Sequence, residues 1–452
     1  MAYDVVVVGS GFSAIAVTIN LLCLLPATRS IAVVGDDPGF GRGTAYRTEF
    51  YLHRLNVPAG RMSVFPDRSN DFIEWLHRRG SAISADEFAS RGDYGLYLRD
   101  TLAALLRGRD SRARIDFIKA KAAGCVERFS IGMVFQLDNG AQLTARKVVL
   151  CLGVGNAQLP VSCNHLAPLS KSRIVVNPWK LSWLSHVGTQ DRVCILGSGL
   201  TMIDQVVALR AHGHRGRIDV LSRRGLLPHS HQIQRTIPVE PQFPAGTREI
   251  SILLSALRRQ VRHGANWRAV MDGLRPRTQE LWQELTSQQR SRFLRHALPW
   301  WNIHRHRISP AIFERFDALV RSDTVIVHAG FLEAIAEATA GMVLSYRPRK
   351  SGSTASLHAD WIVNCTGMER AGLGHSPLLK EMLEQGMIRA DELGLGLEVD
   401  RDSRVLGADR QVQKDIFAVG ALTAGQFWEI TAVPDIRVQA KHVADAIASG
   451  MS

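Results

Sequence analysis

The sequence predicts an α/β protein built of two Rossmann-like domains with a helical insertion. Three observations predict it. An apolar run at the start leads directly into a glycine turn spaced G-x-G-x-x-A. The same strand–turn–helix–strand design returns near residue 193. Over 246–322 the pattern becomes helical, and strand-like runs resume after it.

The opening stretch reads YDVVVVGSGFSAIAVTINLLCLL. Val5 to Val8 form a continuous apolar run, the mark of a parallel strand buried on both faces. Gly9, Gly11 and Ala14 follow, with Ser10 and Ser13 between them. Gly9 permits a tight turn, Gly11 lets a pyrophosphate approach the backbone, and Ala14 lets the helix pack on the strand. The helix N-terminus then faces the phosphates. A second strand, Ile31 to Val34, ends in Asp36 and Asp37, where a carboxylate can accept a hydrogen bond from a ribose 2′-hydroxyl. Gly35 holds the slot where that acid is expected, so the acid is displaced by one residue. This first unit suits FAD. A glycine turn in another kind of α/β protein is the plainer reading.

Residues 191–225 repeat the design. Val193 to Leu196 overlay Val5 to Val8, and Gly197, Ser198 and Gly199 overlay Gly9, Ser10 and Gly11. Leu200 and Thr201 open the second helix, and Met202 takes the third small-residue position, so this helix is expected to pack less closely. Ile218 to Leu221 overlay Ile31 to Val34, which sets Arg223 and Arg224 on Asp36 and Asp37. Arginines at that place can bind a 2′-phosphate, which suits NADPH over NADH. A solvent-facing basic turn is the competing reading of the pair.

The rest of the chain fits this frame. A β-meander precedes an apolar strand, Val148 to Leu152, followed by Gly153 and Gly155. Residues 324–346 read as strands, ADWIVNCTG as another, and the tail as strand, loop and helix. The expected domains are 1–158 for the first part of an FAD-binding domain, 159–358 for an NADPH-binding domain carrying the insertion 246–322, and 359–452 for the return to the FAD-binding domain.

Composition narrows the partners. The chain has 452 residues, a formal net charge of +13 and six cysteines without a C-x-x-C pair. The charge suits anionic ligands or a solvated basic surface, and no nucleic-acid module is readable. The unpaired cysteines argue against a disulfide scaffold or a dithiol reductase. No signal peptide or bilayer-spanning run is evident, so a soluble cytoplasmic protein without nucleic-acid or membrane partners is expected.

Further blocks carry a resemblance. GRGTAY, HRLNVPAGRMSVFPD, GSGLTMID, SRRG, HRHR, NCTG and LTAGQFWEITAVPDIRVQA, spread along most of the chain, resemble an FAD/NAD(P)-binding flavoprotein family. That family includes FAD-dependent urate hydroxylases and L-aspartate N-monooxygenases. The resemblance implies two Rossmann-type domains, FAD, a nicotinamide donor and often oxygen activation. Where related flavoproteins often have Gly-Asp to hold the ribityl chain, this sequence has Gly420-Ala421, so loop amides or Asp435 would take that part.

The expected activity is an NADPH-consuming, FAD-dependent monooxygenase. It would hydroxylate nitrogen or carbon of a small polar or anionic metabolite, with molecular oxygen, through a C4a-(hydro)peroxyflavin. A flavin oxidoreductase without oxygen insertion and a non-catalytic flavin-binding protein are the alternatives. Asn56, Met62 and His53 are expected beside the flavin or the substrate, with a loop tied by its own turns as the plainer reading. Arg305 and Arg307 are expected to bind an anionic substrate or NADPH phosphates, although a basic turn before Pro310 reads equally well. His304 and His306 lack the companions of a metal site. Trp428 is expected at the flavin, and Glu429 is the carboxylate nominated for proton handling, against a capping or salt-bridging role. The chemistry itself should belong to the cofactors.

Overall fold

The computed structural model describes residues 2–37, 40–48, 50–108, 111–129, 132–153, 155, 158–234, 236–367 and 373–451. Two sheets organise them. The first has eight strands, with a main path of Arg404–Leu406, Val412–Ala418, Gln142–Leu150, Ala2–Val8, Ser30–Val34 and Arg114–Ile118. Ala2–Val8 lies between two parallel partners, pairing Val6 with Ala32 on one side and with Val148 on the other. That position explains its sequence, because Val5, Val6 and Val7 are wholly buried and neither face meets water. The strands Ala122–Phe129, Gly132–Leu137 and Gln142–Leu150 form the expected meander. The last of them ends at Leu150, and Cys151 donates its backbone N–H to the Val8 carbonyl at 2.8 Å.

The second sheet has seven strands in the order Ala355–Ala359, Met342–Pro348, Val325–Glu337, Ile218–Ser222, Val193–Leu196, Trp361–Asn364 and Ile174–Val175. Here one expectation is corrected. The return to the first domain was placed at 359, yet Trp361–Asn364 pairs in parallel with Val193–Leu196 and with Ile174–Val175. An apolar run buried on both faces shows that a strand is central, but not which of two sheets it enters.

Helices cover both sheets. Phe12–Leu24 and Val433–Ser449 pack together on one face of the first sheet, burying Ile15, Ile19, Val443 and Ile447 completely. Each such side chain contributes about 1.5–3 kcal/mol. The expected helical insertion is present as six α-helices from Ile250–Arg262 to Pro310–Arg321. Its core of Ile250, Leu253, Trp282 and Phe293 packs against Leu393, Leu395 and Trp428. The insertion therefore rests on loops of the first sheet and closes one side of a cleft. A buried ion pair spans the two halves: Arg91 meets Asp204, on the helix Leu200–Ala211, at 2.8 Å.

Candidate functional site

Each sheet reverses its strand order beside its glycine turn, which is where open α/β sheets bind ligands. The two turns are built alike. Gly9 donates to the Val34 carbonyl and Gly197 to the Leu221 carbonyl, both at 2.8 Å. Gly9 has φ +136° and Gly197 φ +99°. A Cβ would lie 2.4 Å from the Cys151 carbonyl oxygen at Gly9 and 2.2 Å from the Cys365 carbonyl oxygen at Gly197. No side chain fits at either place. At Gly11 and Gly199, by contrast, a Cβ would meet nothing within 4 Å. This is the side from which a phosphate would approach.

The following helices fit that ligand. Phe12–Leu24 and Leu200–Ala211 have Gly11 and Gly199 as N-caps, without a capping side chain and without an acid in the first turn. Their first N–H groups and helix dipole favour an anion. Ala14 and Met202 are both wholly buried. Thr201 and Leu200 lie in its first turn. Ser10 lies against Gly35, whose Cβ would come within 2.5 Å of the Ser10 Cβ. Ser198 instead bonds Ser222 at 2.9 Å and the Leu226 carbonyl at 2.6 Å, tying the second turn to the Arg223-Arg224 loop. Ser13 stands under Gly420, which has φ +84° and leaves no room for a Cβ.

The strand-end charges also differ as the sequence indicated. Asp36 is half exposed and pairs with Lys121 at 3.2 Å, while Asp37 is largely buried and pairs with Arg47 at 3.6 Å. Among the described residues, neither Arg223 nor Arg224 has an ion-pair partner, and Arg223 is exposed. Two uncommitted guanidinium groups at the end of the second strand suit a phosphate.

Between the halves lies a cleft. Asn56, Met62 and the start of the helix Val433–Ser449 form one wall, and Arg275, Arg305 and Arg307 line the other. The arginines face carboxylates. Arg305 bonds Glu429 at 2.9 Å, Arg275 bonds Asp435 at 3.3 Å, and Arg307 bonds Asp272. Arg307 is 5% exposed and its Nε has no partner among the described residues. His231 joins this wall, with Nε2 3.1 Å from the Asn56 backbone oxygen. Burial, helped by Arg307, lowers its pKa to about 4, and burial also lowers that of His306.

The structure separates the predicted site residues. Asn56, Met62, Arg305, Arg307 and Glu429 come together at the cleft. Glu429, however, has both oxygens occupied, one by the Trp301 indole at 2.7 Å and the other by Arg305. Its geometry is that of an anchor rather than a proton carrier. Asp435 is likewise held by Arg275, and the Gly420 N–H meets Gln439 at 2.8 Å. Trp428 turns away from the cleft, because its ring stacks on Trp282 at 4.4 Å within the insertion core. His53 is wholly buried, bonding Thr48 at 2.9 Å, with Phe50 and Trp179 against its ring. It packs between the halves, and neither of these residues touches the cleft. Gly153, with φ +69°, has a counterpart in Gly367, with φ +113°. Each stands two residues after the cysteine that closes its glycine turn, in Cys-Leu-Gly and Cys-Thr-Gly. Sequence reading missed this second half of the internal repeat, and it also missed His231, Asp272 and Arg275. Among the described residues no group of three or more histidine, cysteine or acidic side chains could hold a metal, and no helix is long and apolar enough to cross a membrane.

Residues 6–155 match the family described as FAD-NAD(P)-binding. An uncharacterized protein of Mycobacterium tuberculosis strain H37Rv is 22% identical over 430 residues, covering 83% of this chain and 77% of that protein. Among solved structures, the chain is similar to the ornithine N-hydroxylase KtzI of Kutzneria sp. 744, in its form with reduced FAD, NADP+ and L-ornithine. The TM-score is 0.70 at 14% identity, over 100% of both chains. It is also similar to L-lysine 6-monooxygenase from Pseudomonas syringae, with a TM-score of 0.67 at 17% identity over 100% of both chains. The fold is that of the two-domain FAD/NAD(P)-binding flavoproteins.

Proposed function

We propose that the protein is an FAD-dependent, NADPH-consuming monooxygenase that hydroxylates a small polar metabolite, with an amine nitrogen as the favoured target. One observation carries the reading. Two glycine turns of the same construction lead to opposite charges, and the structure also holds a cleft lined by Arg275, Arg305 and Arg307. The similarity to ornithine and lysine hydroxylases supports nitrogen as the target. FAD, when bound and reduced by NADPH, supplies the oxygen-activating chemistry.

The chain's own residues do the rest. Gly9, Gly11 and the start of Phe12–Leu24 hold one pyrophosphate, and Asp37 accepts from the adenosine ribose. Gly197, Gly199 and the next helix hold the other, with Arg223 and Arg224 on the 2′-phosphate. The N-terminus of Val433–Ser449 points at the cleft, where it favours negative charge. The Trp301–Glu429–Arg305 cluster fixes the loop before that helix. Arg307 attracts an anionic group of the substrate. The scattered cysteines favour this over disulfide reduction: Cys151, Cys194 and Cys365 are buried, and burial pushes their thiols above the ordinary range.

The test is direct. The purified protein should be yellow and release FAD on denaturation. With L-ornithine, L-lysine, L-aspartate and simple diamines as probes, at least one should gain a single oxygen atom at the expense of NADPH. NADPH oxidation that yields only hydrogen peroxide with every probe would overturn the oxygenation step.

A further inference from the structure

The stretch after the second dinucleotide unit, GLLPHSH, ends in a histidine whose surroundings settle its protonation pattern. The Nε2 of His231 lies 3.1 Å from the backbone oxygen of Asn56. A carbonyl oxygen only accepts, so Nε2 carries the proton. Among the described residues, Arg307, Arg305 and Asp272 act electrostatically on the ring, Arg61, Asp86 and Arg268 line the same cavity, and the ring of Phe88 lies at 4.9 Å. Burial and the two guanidinium groups outweigh the aspartate and keep the imidazole neutral at ordinary pH. A neutral ring protonated at Nε2 presents a lone pair at Nδ1. Among the described residues Nδ1 has no hydrogen-bond partner, and it is not one of the sealed, unpartnered buried atoms. The backbone that carries the ring is also held in place. The His231 N–H donates to Ile308 at 2.9 Å, and Ser230 and Ile308 form a parallel bridge.

The rest of this wall is rich in donors. The carboxylates Asp272, Glu429 and Asp435 are each taken up by an arginine. We propose that His231 is a fixed hydrogen-bond acceptor of the reaction chamber, its Nδ1 receiving an N–H or O–H of the substrate while Arg307 attracts the substrate's anionic group. The assignment rests on the reading of this cleft as the reaction chamber. It adds a specificity element, since a ligand must offer a donor beside its anionic group to satisfy both.

Diethyl pyrocarbonate acylates unprotonated imidazole nitrogens and tests the assignment on the FAD-loaded protein without turnover. At about pH 5 ordinary histidines are largely protonated and shielded. His231 should be carbethoxylated there, as mapped by peptide mass spectrometry. Two variants then separate the ring nitrogens: H231N sets an amide oxygen near the Nδ1 position, whereas H231Q keeps a donor near Nε2 and lacks the acceptor. With whichever amine probe is oxygenated, H231Q should lose about tenfold in product formed per NADPH, and H231N should recover most of that loss. FAD content and melting temperature show whether each variant has folded. His231 reacting only in step with solvent-exposed histidines, or H231N failing as badly as H231Q, would overturn the proposal. A wild-type protein that oxygenates no probe while His231 reacts at about pH 5 would sink the monooxygenase reading and leave the neutral, open acceptor standing.

Discussion

The charge at the end of a Rossmann strand decides which ribose the domain favours. On the proposed reading, Arg223 and Arg224 hold a 2′-phosphate that NADH lacks. Replacing both by alanine should weaken NADPH use by about 2 kcal/mol, or roughly thirtyfold in kcat/KM, and leave NADH nearly unchanged. Steady-state kinetics with both coenzymes checks this, and equal losses would mark the pair as structural. Glu429 poses a different question. It sits at φ 64°, a strained position for a residue other than glycine, and its carboxylate holds Arg305 and Trp301. Glu429→Gln should therefore leave Arg305 buried without its counter-charge, at a cost of about 3 kcal/mol. The expected result is a lower melting temperature and poorer FAD retention, with the pH profile of turnover unmoved. A shifted pH profile at unchanged stability would restore Glu429 as the proton carrier.

Turns and helices make the sharper comparison. Gly9 and Gly197 abut a carbonyl oxygen, so alanine there must displace backbone. Gly11 and Gly199 have φ of −93° and −86° and open space on the Cβ side, so alanine costs the fold little. Gly11→Ala should melt within about 1 °C of the parent yet bind FAD at least about tenfold more weakly, and Gly199→Ala should do the same for NADPH. Unchanged nucleotide affinity in both would show that the phosphates lie elsewhere. At this scale much was legible in the sequence. The apolar runs Val5 to Val8 and Val193 to Leu196, the glycine spacing and the helical insertion each declare themselves through local chemistry. Other features depend on what the chain meets in space. Trp428 resembled a flavin neighbour, but its large ring found Trp282 and Phe293. His53 was expected beside the flavin or the substrate, but its loop is pressed between the two halves. Arg305 and Arg307, expected to bind an anion, line the cleft, while their partners Glu429 and Asp272 lie far away in sequence and could not be paired by spacing.

The whole molecule stores a pH dependence in its histidines. Burial lowers the pKa of His53, His214, His229, His231 and His306. Below about pH 6.5 the unfolded chain binds protons that the folded chain refuses. Stability is therefore complete above that value and falls as pH drops through the window, down to about 4 for His231. Asp391 and Asp435, raised by burial, act in the opposite sense, but from a lower starting range. The melting temperature should fall by about 5 °C or more between pH 7.5 and pH 5, and a flat profile would contradict the assigned neutral states. The two halves respond together because the Arg91–Asp204 pair and the buried Leu52 tie the first domain to the second. On the proposed reading, that union brings two nucleotides, held at two like turns, together at one cleft. Mixing the FAD-loaded protein anaerobically with NADPH or NADH, while following flavin absorbance, tests this arrangement. On the proposed reading, NADPH bleaches the bound flavin and NADH does so at least about tenfold more slowly at equal concentration. Bound flavin that stays oxidised with both coenzymes would contradict it.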